Sequence, residues 1–75
     1  MTTDTIGRFF FGRPFVGFDI HLVDGRTVRV SHPEMATVEP HATSVSVIDT
    51  DGRLEIIDTA LIVSCRTHQP VFDDA

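Results

Sequence analysis

Two Asp-Gly dipeptides, Asp24-Gly25 and Asp51-Gly52, constrain this 75-residue chain more than any other feature. Each stands between two short segments of alternating apolar and polar residues, a strong hairpin signal. In Phe15–Val23, Phe18, Ile20 and Leu22 share one face, and Gly17, Asp19, His21 and Val23 share the other. After the first Asp-Gly, Val28 and Val30 point to the core, while Thr27, Arg29 and Ser31 point to water. In Thr43–Asp49, Val45 and Val47 point inward and Ser44, Ser46 and Ile48 outward. After the second Asp-Gly, Arg53–Asp58 is read with Leu54 and Ile56 inward and Glu55 outward.

The remaining segments fit around these hairpins. Thr3, Asp4 or Thr5 can cap a short helix through Ile6, Arg8 and Phe9. Gly7 and Gly12 limit it and Pro14 bars its continuation, so two turns is its greatest length. His32-Pro33 interrupts the strand after the first hairpin, because proline has no amide to donate to a ladder. Glu34–Val38 is read as a bent strand, since Glu39-Pro40 leaves no room for a helix. Pro40, His41 and Ala42 make a turn. Asp58-Thr59-Ala60-Leu61 reads as one tight helical turn capped by Asp58, and Ile62–Thr67 as the last strand. The chain is one small domain over residues 1–75, with frayed ends near 1–3 and 69–75.

A short N-terminal helix followed by about five strands is too little chain for a large open sheet. The expected fold is mainly β: a small five-stranded antiparallel, partly open barrel, since closure removes edges. Over about residues 5–67 this plan resembles the SH3-like and Sm-like small barrels. A closer resemblance runs through Pro14-Phe15-Val16-Gly17-Phe18, Ile20-His21-Leu22-Val23-Asp24-Gly25-Arg26, Val30-Ser31-His32-Pro33-Glu34 and Ile56-Ile57-Asp58. This Pro-Phe, Asp-Gly-Arg, His-Pro-Glu pattern is similar to that of a group of small bacterial proteins. The group carries no activity, substrate or catalytic residue to transfer. Its members usually have another turn residue where His41-Ala42 stands here.

Charge and length narrow the function classes. The net charge is −5, from eleven acids and six arginines. Residues 1–37 are balanced, and residues 38–75 hold the whole excess. An acidic chain lacks the counterion-release term that drives nucleic-acid binding and the basic face of a membrane-surface helix. No apolar run is long enough to span a bilayer, and Met1–Arg8 does not read as a secretion signal. A lone cysteine, Cys65, fits a reducing compartment, so a cytoplasmic location is expected. A domain this small, with no disulfide, is marginal alone and gains from a partner surface.

Five of the six phenylalanines fall within residues 9–18: Phe9, Phe10, Phe11, Phe15 and Phe18. They can seal one end of a barrel under the helix. Phe9, Phe10 and Phe11 cannot all face one core, however, so at least one is expected at the surface as a contact for another protein. Arg8 and Arg13 flank this cluster and complete the candidate partner-binding set of Phe9, Phe10, Phe11, Arg8 and Arg13. The histidines, His21, His32, His41 and His68, show no metal-ligand spacing, and Cys65-x-x-His68 is the only close soft pair. His32 is expected to hold the bend at Pro33 by a hydrogen bond. Asp49, Asp51, Glu55 and Asp58 read as turn formers and a solvated face. No nucleophile elbow, phosphate-cradling loop or dinucleotide fingerprint is present, so neither catalysis, metal nor cofactor is expected. The leading expectation is a non-catalytic protein-protein interaction or self-assembly module. The alternatives are an Sm-like nucleic-acid binder using Arg8, Arg13, Arg26 and Arg29, and a small-ligand-binding protein with a cavity near His21 or His32.

Overall fold

A computed structural model describes residues 1–10, 14–39 and 41–70. One helix, α1 (Thr3–Phe10), precedes six strands: β1 (Phe18–Leu22), β2 (Thr27–Val30), β3 (Ala36–Val38), β4 (Ser44–Ile48), β5 (Leu54–Asp58) and β6 (Ile62–Thr67). Two 3-10 turns, Pro33–Met35 and Thr59–Leu61, precede β3 and β6. The strands form two antiparallel sheets of three, ordered β2-β1-β6 and β3-β4-β5. The chain is mainly β, as its alternation requires. It has six strands rather than about five, and no ladder joins the two sheets into a closed barrel among the described residues.

The extra strand comes from His32-Pro33. His32 is extended, and Pro33 then opens a single 3-10 turn closed by the Met35 amide donating to the His32 carbonyl at 3.1 Å. Glu34–Val38 is therefore a turn followed by the three-residue β3, not one bent strand. The backbone carbonyl of His32 holds the bend, and its imidazole makes no capping bond there.

Both hairpin loops contain three residues. The Leu22 amide donates to the Arg26 carbonyl at 2.9 Å, and the Asp49 amide to the Arg53 carbonyl at 3.0 Å. Gly25 (φ 90°) and Gly52 (φ 81°) take the left-handed position that ends each loop, where a side chain would be strained. The Asp49 carboxylate accepts from the Asp51 and Arg53 amides, and the Asp24 carboxylate from the Arg26 amide. The second loop corrects the expected facing of β5. It pairs Val47 with Glu55 and Val45 with Ile57, and opposed residues share a face. Ile57 and the half-buried Glu55 thus point inward, while Leu54 (66% exposed) and Ile56 (65%) point out.

The core between the sheets is Ile6, Phe18, Ile20, Leu22, Val28, Val30, Val45, Val47, Ile57 and Ile62. In β1, β2 and β4 the inward residues are those the alternation predicts. The cap of α1 is Thr2, one residue before the expected candidates: its hydroxyl accepts from the Thr5 amide at 3.3 Å. The helix packs against β3 and buries Thr3, Ile6 and Gly7. The Met1 ammonium donates to the Thr59 carbonyl at 3.1 Å, and the Met1 side chain packs on the core.

Candidate interaction surface

The phenylalanine cluster divides. Phe18 is fully buried, with Phe9 and Phe15 half-buried beside it at ring-centre distances of 5.1 and 6.1 Å. Phe9 thus packs on the core through a tilted contact with Phe18, and Phe15 through an edge-on one. The ring of Phe10, together with Phe11 and Arg13, lies outside the described residues. Arg8 is exposed on the last turn of α1.

Among the described residues, the large apolar side chains at the surface are Val23, Ile48, Leu54, Ile56, Leu61 and Val63. On the outer face of the second sheet, Ile48 lies directly across from Leu54, and Ser46 from Ile56. Val23 and Leu61 reach the same region from the other sheet, where the Val23 amide donates to the Leu61 carbonyl at 2.9 Å. Leu22, Val23, Ile56, Ile57 and Leu61 line a shallow hollow of about 230 Å³ beside β5. Val63 is the extra residue of a bulge, because His21 pairs with Ser64 and Leu22 with Ile62. Its side chain is 61% exposed. The alternation places Ile48 outward and Val23 opposite the core face, as observed, but marks none of these residues as a contact surface. The signal available was the Ile56-Ile57 pair, two adjacent apolar residues that a strand must send to opposite faces.

Two sets of ion pairs join different elements. Arg26 grips Glu55 through both carboxylate oxygens, at 2.6 and 2.8 Å, linking the first hairpin to β5. Asp19 accepts from Arg29 at 3.5 Å and pairs with His68 at 2.8 Å. The hydrogen bond to His68 holds the Asp19 carboxyl below its usual range, with the His68 and Arg29 charges adding to the effect. His68 also closes over Gly17: its amide donates to the Gly17 carbonyl at 2.8 Å, and a Cβ at Gly17 would sit 2.9 Å from His68 Nδ1. His21 Nδ1 lies 3.3 Å from the Thr27 hydroxyl.

Neither the histidines nor the cysteine assemble into a reactive group. Among the described residues, no three or more His, Cys, Asp or Glu side chains gather as they would around a metal. Half-burial pushes the Cys65 thiol up to about 11, which keeps it protonated and weakly nucleophilic near neutral pH. No described helix is long and apolar enough to cross a membrane. The arrangement therefore offers apolar strand surface and sheet edges more than convergent polar chemistry. Comparison with protein-family models, curated proteins and solved structures found no match for this chain.

Proposed function

We propose that this chain is a small non-catalytic interaction module that works by self-association. The observation that carries the reading is the exposure of Leu54, Ile56, Val23, Leu61 and Val63 around the junction of the two sheets. A chain of this size has little interior to spare, so large apolar side chains left in water gain most from a second surface. This reading rests on the strands; Phe11 and the ring of Phe10, from the expected cluster, lie outside the described residues. In the same reading β2 and β3, joined through the Pro33–Met35 turn, together take the place of a single strand that passes from sheet to sheet in a small barrel. That makes the molecule an open relative of the five-stranded SH3-like and Sm-like barrels. A reducing, cytoplasmic setting suits its single thiol.

Charge favours this reading over nucleic-acid binding. Arg26 is engaged by Glu55 and Arg29 shares Asp19, so two of the four arginines invoked for that alternative are already neutralised locally. Sedimentation equilibrium from micromolar to millimolar concentration tests the proposal. The expected result is a mass that rises with concentration above the 8.3 kDa of one chain. An unchanging 8.3 kDa species overturns it.

A further inference from the structure

Two three-stranded sheets have four edge strands, and three of the four are guarded. β2 carries Arg29 on its exposed face, β3 is only three residues long, and β6 is bulged at Val63 and carries Arg66. Charge, shortness and bulging are the ordinary means by which an edge repels another strand. β5 carries a charge on its outer face only at its last residue, Asp58, whose carboxylate caps the Thr59–Leu61 turn; the rest of that face shows Leu54 and Ile56 to water. Its one inward charge, Glu55, is already neutralised by Arg26. β5 pairs with β4 alone, and its outward amides and carbonyls take no partner among the described residues. A hollow lies along β5, between that strand and Leu22, Val23, Arg26 and Leu61.

Resting on the self-association reading, we propose that two copies pair antiparallel through the free edges of β5, about a twofold axis at Ile56. Three strands from each copy then form one continuous sheet of six. The charges at the strand ends set the direction. β5 follows Arg53 and ends at Asp58, so antiparallel pairing brings the basic end of one copy to the acidic end of the other. Parallel pairing sets like against like. The side chains also select the register. Centring on Glu55 places two carboxylates opposite each other, which is unfavourable. Centring on Ile57 overlaps only residues 56–58 of the two strands. Centring on Ile56 overlaps all of Leu54–Asp58, sets Ile56 against its counterpart and Leu54 against Asp58, and opposes no like charges.

Two variants test the pairing. In Ile56→Glu the axis places two carboxylates together, and the dimer dissociation constant is expected to rise at least about tenfold. Circular dichroism should remain that of the wild type, because Ile56 is 65% exposed. Ile56→Cys, made with Cys65→Ala, places two thiols on the axis. Their Cα atoms are then about 4.5–5.5 Å apart, within disulfide reach. Leu54→Cys in the same background puts them about 14 Å apart along the strands. Rapid oxidative cross-linking at position 56, and not at 54, is the expected result. A wild-type chain that never associates removes self-association and this pairing together. A chain that associates while Ile56→Glu has no effect, or while positions 56 and 54 cross-link alike, overturns the β5 pairing and leaves self-association through another surface. Assemblies larger than two copies have the same consequence.

Discussion

At the scale of single residues, Asp19 ties three strands of chain together. It lies on β1, bonds Arg29 on β2, and pairs with His68 just beyond β6. In the folded protein its carboxyl is held below its ordinary value, chiefly because His68 bonds the charged form. A carboxyl that binds its proton more weakly when folded stabilises the fold above its unfolded pKa. That contribution disappears as the pH falls through the folded value. Asp19→Asn is therefore expected to cost about 0.5–1 kcal/mol near pH 7 and progressively less as the pH falls through the folded value. Urea unfolding of both proteins across this range measures the difference. A constant gap at every pH would show that the carboxylate's charge plays no part.

At the scale of elements, the turns decide what the strands present. His41 stands at φ 64°, a left-handed conformation that a side chain disfavours. His41→Gly should relieve about 1 kcal/mol of backbone strain, partly offset by glycine's greater freedom when unfolded. A melting temperature raised by a few degrees is expected, and a fall would show that the imidazole contributes a contact worth more than the strain. Turn geometry also marks what could be read from the chain alone. The alternation of β1, β2 and β4 is unambiguous, so Phe18, Ile20, Val28, Val30, Val45 and Val47 are legible as core. Leu54-Glu55-Ile56-Ile57 supports either phase, and the choice falls to the length of the loop before it. A loop one residue shorter would face Leu54 and Ile56 inward, because a single-residue shift reverses every side chain. The candidate surface was hidden for the same reason. The phenylalanines were conspicuous by composition, whereas exposure at β5 depends on a register that dipeptide signals do not specify.

At the scale of the whole molecule, two thin sheets and one helix share a core with ten buried apolar side chains among the described residues. Ile6 is the helix's main contribution to that core and is fully buried. Ile6→Ala removes it from a site already close to the minimum size for independent folding. The expected cost is about 3 kcal/mol, a fall in melting temperature of roughly 10–20 °C. Calorimetry measures it, and a fall under a few degrees would mean that the sheets hold together without the helix. If two copies pair as proposed, the wild-type melting temperature also rises with protein concentration, as mass action requires.

The neighbouring isoleucines of β5 then answer to different demands. Ile57 is held by folding and Ile56 by assembly, although they are adjacent and chemically identical. A polar residue at 57 should cost the molecule its shape, whereas at 56 it should cost only its company. In a selection that rewards folding alone, drift would therefore reach the second isoleucine last and the first one early.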